Sequence, residues 1–388
     1  MRRFRVAHVI TRLCNGGAQE NTFHSVRLAD RDRYEVDLIS GPTNGSEGSM
    51  EETVERSGVA IQREPALVRE ISPLNDLKAV QGLTKRFKEK RYDIVHTHTS
   101  KAGVLGRLAA KRAATPIVIH TPHGNIFDGY FSPWKTRLFV EAERAAAKCT
   151  DRLVELTPGG VDEYLAQGIG TRSQYAVIFS GVDISPYAHA IEMREATRAA
   201  LGVGPGDFLV GGVGRLEPVK GFTYFIAAAQ RIAEADAGVR FIHAGQGSLE
   251  TELREQAAPL GGRMTFLGRR DDVPDLMAAM DLLVVPSLNE GMGRVILEAG
   301  AAGCAVIATN VGGVPDIVQD DVTGVLVPPK RAGEIAGAVL ALGSDPPRLQ
   351  AMGEAARRFV MPNFGLDRMV MRIEAMYEEL IEEKRLEP

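Results

Sequence analysis

Residues 282–298 read Leu282-Leu283-Val284-Val285-Pro286-Ser287-Leu288-Asn289-Glu290-Gly291-Met292-Gly293-Arg294-Val295-Ile296-Leu297-Glu298. Four apolar residues suited to a strand give way to a polar turn with two glycines, and then to a run that continues through the alanines of 299–302 as a helix. Glycines at a strand-to-helix turn clear side chains from the path of an incoming phosphate. The N–H groups of the first helical turn then point at that anion, aided by the helix dipole. Two glutamates are out of place where phosphate alone is bound. A carboxylate accepts hydrogen bonds from neutral hydroxyls, so Glu290 before the turn suits a sugar, and Glu298, roughly one turn inside the helix, suits a ribose.

Outward from this segment, short Val- and Ile-rich runs alternate with amphipathic ones almost throughout. Residues 208–213, 240–244, 264–267, 305–308 and 325–327 read as further strands, and so do 4–10, 35–39, 93–97, 116–120, 151–156 and 175–179. Helix-like stretches at 74–90, 102–113 and 133–148 lie between the earlier ones. That alternation predicts an α/β protein built of parallel sheets covered by helices. Around 183–206 the pattern breaks, with Pro186, Pro205, Gly202, Gly204 and Gly206, and a domain boundary is placed there. The expected domains are 1–185 and 186–360, each Rossmann-like and doubly wound. In the terminal region, 361–388, a strongly helical segment at 366–383 follows Pro362 and either closes the second domain or crosses back to the first. The carboxyl ends of both sheets are expected to face a shared cleft, where ligands bind in such sheets.

The strand at 208–213 ends in a second cluster, Val213-Gly214-Arg215-Leu216-Glu217-Pro218-Val219-Lys220-Gly221. Arg215 and Lys220 at the end of one strand can neutralise a diphosphate, which matters most as negative charge grows on a leaving group. Either cation alone reads as solvated surface; the pair beside a glycine turn does not.

Composition narrows the classes. The 388 residues exceed one ordinary core, and 44% hydrophobic with 25% charged residues is ordinary for a globular chain. No run approaches the ~18 apolar residues of a membrane span, and residues 6–10 are too short for a signal-peptide core. Cys14, Cys149 and Cys304 are odd in number and far apart, which suggests a reducing compartment and no disulfide frame. The expected location is cytoplasmic, with the inner face of the membrane as the place of any association. The net charge of -4 is uneven: residues 1–185 hold 26 Lys+Arg against 22 Asp+Glu, and the remainder 20 against 28. A basic first half suits an anionic acceptor or membrane surface, although solvated helix faces explain it better. Residues 74–90, with Lys85, Arg86, Lys88 and Lys90, are the membrane-facing alternative. No aromatic-interleaved basic cluster points to nucleic acid.

These motifs resemble the Glu-x7-Glu and Gly-Arg-Leu-x3-Lys-Gly signatures of the retaining family-4 (group 1) glycosyltransferases, which have the GT-B fold. Gly16-Gly17-Ala18-Gln19 resembles the N-terminal glycine loop of that family. Residues 96–103 and 120–124 resemble its two histidine segments, and Gly181-Val182-Asp183 its linker motif; residues 309–316 and 323–328 match its tail. The resemblance implies that Gly16 and Gly17 let the first loop approach the donor phosphates and that His123 lies by the donor sugar and the reacting bond. Arg215 and Lys220 would grip the diphosphate. Glu290 would hold the transferred sugar, Gly291, Met292 and Gly293 would give backbone contacts, and Glu298 would hold the ribose. Leu267-Gly268-Arg269 would line the base pocket. It further implies a metal-independent enzyme with no cofactor beyond the nucleotide-sugar co-substrate, a UDP-sugar before a GDP-sugar, and a glycan or lipid-linked acceptor in cell-envelope synthesis. Departures are Ser180 for Asn, Met292 for Phe, Ala244-Gly245-Gln246-Gly247-Ser248 for Gly-Asp-Gly-Pro, and Arg294, a cation beside the glycine turn that bears on how phosphate or sugar is held.

Rival readings are weaker. His96, His98, His120 and His123 could gather a transition metal, but only His96 and His98 share a strand face. The dinucleotide fingerprint is missing after the first strand. Asp30-Arg31-Asp32 precedes a strand rather than following one, which removes a metal-dependent transferase. A non-hydrolysing nucleotide-sugar epimerase or a non-enzymatic relative of the same fold remains the alternative, and the intact Arg215, Lys220, Glu290 and Glu298 argue against the latter.

Overall fold

Apolar runs too short for helices become buried parallel strands, and the amphipathic stretches between them cover the sheets. The computed structural model describes residues 2–44, 48–124 and 133–387. In chain order the first part comprises β1 (Phe4–Ile10), α1 (Gly17–Arg27), β2 (Tyr34–Ser40), α2 (Glu51–Arg56), β3 (Ile61–Arg63), α3 (Pro73–Lys90) and β4 (Ile94–His98). It continues with α4 (Ser100–Ala113), β5 (Ile117–Thr121), α5 (Pro133–Ala147), β6 (Arg152–Glu155), α6 (Pro158–Ala166) and β7 (Tyr175–Val177). After the short α7 (Ser185–Ala188) and α8 (Arg194–Ala200) come β8 (Phe208–Val213), α9 (Phe222–Ala235), β9 (Val239–Ala244), α10 (Glu250–Ala257), β10 (Met264–Gly268) and α11 (Val273–Ala279). Then follow β11 (Leu282–Val285), α12 (Arg294–Ala302), β12 (Ala305–Thr309), β13 (Val325–Val327), α13 (Ala332–Gly343), α14 (Pro346–Asn363) and α15 (Leu366–Glu383).

The chain divides into two compact units, Met1–Gly181 with Leu366–Pro388, and Val182–Gly365. At the crossing the outgoing and returning segments pair, with the Val182 N–H donating to the Phe364 carbonyl at 2.9 Å. Pro362 lies in the last turn of α14, and the terminal helix spans Leu366–Glu383. The first unit has a seven-stranded sheet in the order β3-β2-β1-β4-β5-β6-β7, the second a six-stranded one, β10-β9-β8-β11-β12-β13. All strand pairs in both sheets are parallel. Each order reverses beside the first strand of its unit, which creates a topological switch point. The edge strand β3 escapes the sequence reading because Ile61-Gln62-Arg63 is short and half exposed, with no apolar pattern.

Alternation along the first sheet decides what lies on each face. Phe4 and Val6 of β1, Ile94 of β4, and Ile117 and Ile119 of β5 pack against Leu366, Met369, Val370, Ile373, Met376, Tyr377, Leu380 and Ile381 of α15. Those eight recur at spacings of three and four, one stripe of a helix. Ala7, Val9, Val95 and Val118, one residue out of phase, pack under α3 and α4. Each fully buried large apolar side chain is worth roughly 1.5–3 kcal/mol, so the stripe holds the last helix to this unit. The half-exposed pairs Arg33–Glu378 at 2.7 Å and Lys384–Asp151 at 2.6 Å add little beside that. Among the described residues no helix is long and apolar enough to cross a membrane.

Candidate active site

In the second unit the loops at the carboxyl edge of the sheet are stitched to one another across the strands. The Gly214 N–H donates to the Ala244 carbonyl at 3.0 Å, and the Gly245 N–H to the Gly268 carbonyl at 2.7 Å. The Leu288 N–H donates to the Val219 carbonyl at 2.7 Å, and the Gly313 N–H to the Glu290 carbonyl at 3.0 Å. This places the loops after β8, β9, β10, β11 and β12 side by side, with the switch point between β8 and β11 in the middle.

Lys220 and Glu290 meet at that point. The Lys220 Nζ donates to Glu290 Oε1 at 2.5 Å, and the Ser287 hydroxyl donates to the same oxygen at 2.7 Å. Among the described residues both hydrogen bonds to this carboxylate fall on Oε1. Glu290 is 9% exposed and Ser287 1%, while the Lys220 side chain is partly exposed, so the carboxylate end of the pair is shielded from bulk water and the attraction is stronger than on open surface. Thr309 completes the support by donating from Oγ1 to the Ser287 carbonyl at 2.5 Å.

Two glycines permit this approach. Gly221 at φ +66 would put a Cβ 2.1 Å from the Pro286 carbonyl oxygen, and Gly312 at φ +50 would put one 2.0 Å from that of Glu290. Neither neighbour can give, since both are backbone. Gly312→Ala is therefore expected to displace Glu290, with about 1–2 kcal/mol added by the left-handed backbone alone. The turnover number should fall much further than the melting temperature does, and a variant with unchanged turnover would remove Gly312 from the support of Glu290.

Gly293, at φ 77 and ψ 61, caps α12, with Met292 buried behind it and Gly291 half-buried ahead. Arg294 opens the helix, and Glu298 sits half-buried one turn in. Arg215 is exposed and follows Gly214 at the start of the loop after β8. Leu267 and Gly268 are half-buried at the end of β10, and Arg269 beyond them is exposed, 3.6 Å from Asp271.

In the first unit Gly16 precedes α1, and Gly17 is its exposed first residue. The Gly16 backbone is extended, so its worth is space: a Cβ there would lie 2.7 Å from Gln19 Oε1. Ser180 accepts a hydrogen bond from Asn21 Nδ2 at 2.8 Å, which ties the linker to α1. His123, just past β5, holds φ +66, an uncommon backbone for a residue with a Cβ and one that clusters at functional sites.

The four histidines of the metal reading do not form one set. His96 and His98 face α15, and the β1 residue His8 joins them there. His120, one residue out of phase, faces α4 beside the buried Arg107–Glu143 pair, its Nε2 3.9 Å from Glu143 Oε2. Burial pushes His8 down to about 3 and holds His96, His98 and His120 well below the usual histidine range, so all four are neutral at pH 7.

Of the functional residues, sequence reasoning missed Ser287, Thr309 and Gly312 as supports of Glu290, and His8 in the first unit. The signal for Gly312 was present in the motif 309–316, where a glycine follows a strand by a fixed distance. Nothing local marked Ser287 or His8.

The sequence pattern described as "Glycosyl transferase 4-like domain" matches residues 16–181, and that described as "Glycosyl transferases group 1" matches 207–345. The chain is 30% identical over 387 residues to the UDP-Gal:alpha-D-GlcNAc-diphosphoundecaprenol alpha-1,3-galactosyltransferase of Escherichia coli, covering 98% of both chains. The chain belongs to the group 1 glycosyltransferases. A D-inositol 3-phosphate glycosyltransferase of Rhodococcus jostii is 31% identical to this glycosyltransferase, over 88% of the chain and 80% of the relative. Anabaena HepE, solved in complex with UDP-glucose, superposes with a TM-score of 0.82 at 25% identity, over 97% of this chain and all of that one. Sucrose-phosphate synthase from Thermosynechococcus elongatus, at 23% identity and a TM-score of 0.80, shares the fold. The fold is GT-B.

Proposed function

We propose that this glycosyltransferase is a retaining, metal-independent hexosyltransferase that uses a UDP-sugar and glycosylates a lipid-linked saccharide of the cell envelope. The observation that carries the reading is the pairing of Lys220 with the buried Glu290 at the switch point, beside the glycine turn that opens α12. Lys220 has three N–H donors and spends one on Glu290, so the same ammonium can serve a phosphate oxygen. With Arg215 and the backbone N–H groups around Gly291 and Gly293 it stabilises the charge that develops on the leaving diphosphate. Glu290 accepts from hydroxyls of the transferred sugar, Glu298 from the ribose, and Leu267, Gly268 and Arg269 line the base pocket. In the transfer, the bond from the anomeric carbon to the phosphate oxygen breaks as the bond to the acceptor oxygen forms on the same face. The acceptor proton passes to the departing phosphate. Within the first unit, His123 and the loop at Gly16 and Gly17 are the substrate contacts of this reading.

The choice of uridine and of a lipid-linked acceptor rests on the end-to-end likeness to the E. coli enzyme, whose name carries both, and on the UDP-glucose complex of HepE. No cofactor and no metal takes part: two cations and a helix N-terminus already offset the diphosphate. Titration calorimetry with UDP-glucose, UDP-galactose, UDP-N-acetylglucosamine and GDP-mannose, each with and without EDTA, tests this. A UDP-sugar should bind equally in both conditions, and Arg215→Ala should weaken it about tenfold. Binding of GDP-mannose alone would overturn the uridine assignment, loss of binding in EDTA the metal independence, and no binding at all the donor site.

A further inference from the structure

A helix that joins two parallel strands starts at the carboxyl edge of the sheet, because the chain must run back from there. α3, α4 and α5 follow β3, β4 and β5, so all three start at that edge of the first unit. They lie side by side on one face, with α4 in the middle. α3 and α4 pack together over Val95 and Val118, and α4 meets α5 through the buried Arg107–Glu143 pair at 2.6 Å. Of the ten large apolar side chains exposed among the described residues, five stand at this edge. Ile71, Leu74 and Leu77 lie just before α3 and in its first two turns, and Trp134 and Leu138 lie in the first two turns of α5. Leu74 is 76% exposed and Trp134 66%. Single exposed apolar residues are ordinary, but five at one edge mark a surface that meets something.

The charge around them selects the partner. Leaving aside the buried Arg107–Glu143 pair, α3, α4 and α5 carry eleven lysines and arginines against three acids, in a chain whose net charge is -4. On the outer stripe of α3, Leu74 and Leu77 are followed by the exposed Lys78, Lys85 and Lys88. At 1.5 Å of rise per residue, Lys78 stands about 6 Å behind Leu74. On α5 the exposed Lys135 and Arg137 stand beside Trp134, with Lys135 Nζ 5.6 Å from the ring centre. Apolar tips backed at once by cations suit the boundary between acyl chains and anionic headgroups, where tryptophan is also favoured. α3 does not lie flat there, because its long apolar stripe, Ala79, Val80, Leu83 and Phe87, faces the core.

Two other occupants fit worse. Between the two apolar points the first turn of α4 is polar, with Ser100 and with Lys101 2.7 Å from Asp76. A protein partner would have to fill that gap, whereas a bilayer meets separate points at once. A second copy of the chain would set these cations against their own kind. We infer that the carboxyl edge of the first unit is a membrane-docking edge: Leu74, Leu77 and Trp134 enter the interface of an anionic phospholipid bilayer, and Lys78, Lys135 and Arg137 meet its headgroups. Contact is at the surface, since no helix among the described residues is long and apolar enough to cross. The inference goes beyond the transfer reaction and stands whichever sugar and acceptor are used.

Trp134 is the only tryptophan of the chain, so the fluorescence of the full-length protein reports on this edge alone. The probe is a vesicle of phosphatidylcholine with about 30% phosphatidylglycerol at about 0.1 M salt, without nucleotide-sugar or acceptor. The emission should shift to the blue, and lipids brominated near the headgroup should quench it. Vesicles of phosphatidylcholine alone should bind about tenfold more weakly or less tightly still. The double variant Leu74→Asn, Leu77→Asn, on the other helix, should weaken binding read at Trp134 about tenfold, because both points enter one bilayer. Its melting temperature should stay that of the wild type, since both side chains are exposed. A tryptophan emission unmoved by the anionic vesicles would overturn the docking edge. So would equal binding to both vesicle types, or an unchanged affinity of the double variant. A blue shift that grows with protein concentration in the absence of lipid would overturn it in favour of a second copy. None of these results bears on the donor site, because no substrate is present.

Discussion

Replacing Glu290 by alanine is expected to lower the turnover number on the order of hundredfold while leaving the fold intact. The carboxylate is 9% exposed and takes hydrogen bonds from Lys220 at 2.5 Å and Ser287 at 2.7 Å. Its removal therefore acts twice. In the proposed site it takes away an acceptor for the sugar hydroxyls, and it releases the Lys220 ammonium from its place beside the diphosphate. Loss of one preorganised polar contact in a water-shielded site costs about 10²–10³ in rate, and this variant loses one contact and misplaces another. Lys220→Ala should fall by a similar factor, and the double variant by far less than the product, since the two side chains act as a unit. Glu298→Ala should differ in kind, raising the KM for the nucleotide-sugar with a smaller change in turnover, because the ribose contact is the same in ground and transition states. Turnover of Glu290→Ala within threefold of the wild type would place the sugar elsewhere.

The second large effect is on stability. The first unit should lose its stability steeply as the pH falls below about 6.5. His8, His96, His98 and His120 are neutral in the folded state, chiefly because burial disfavours their charged forms, with His8 down to about 3. In the unfolded chain the same groups titrate near 6.5. Below that pH the unfolded state binds more protons, so folding weakens as acid is added, and each histidine contributes a slope approaching about 1.4 kcal/mol per pH unit. Glu155 opposes this. Burial raises it to about 8, so the stability it contributes is present at low pH and lost as the pH climbs from 4.5 through 8. Glu64 and Glu374 of the same unit are raised too, chiefly by burial, whereas the hydrogen bond from Arg33 lowers Glu378, which adds to the loss in acid. Against these the four histidines keep the net sign between pH 6.5 and 4.5. The combined slope reaches several kcal/mol per pH unit, against a usual domain stability of roughly 5–15 kcal/mol. Urea midpoints measured from pH 7.5 to 5 should drop sharply, with unfolding in acid alone near pH 5. A midpoint flat across that range would mean that these histidines are charged or solvated in the native state.

How much of this was legible beforehand depends on whether the information was local. The strand at 282–285, the glycine turn and α12 lie within 21 residues of one another, and the spacing of Glu290 and Glu298 on that unit needs no distant partner. Arg215 and Lys220 follow β8 in the same local way. A parallel strand buried on both faces reads as a continuous apolar run, so both sheets stood out. The edge strand β3, with one residue in three apolar, did not.

The sequence by itself determined the two-sheet architecture, and it singled out the cations, carboxylates and glycines of the proposed donor site, because each is written within one strand, turn and helix. Only the tertiary structure decided that Lys220 lies against Glu290, 70 positions away, with Ser287 behind it and Gly312 giving the clearance. It alone showed that the last helix belongs to the first unit, where Tyr377 meets His8 across 369 positions. The physical reason is the period of the strand. Alternation tells which residues share a face, but what covers that face is chosen by packing among segments far apart in the chain. A histidine facing inward therefore looks the same in sequence whether it meets a metal, a tyrosine or another histidine.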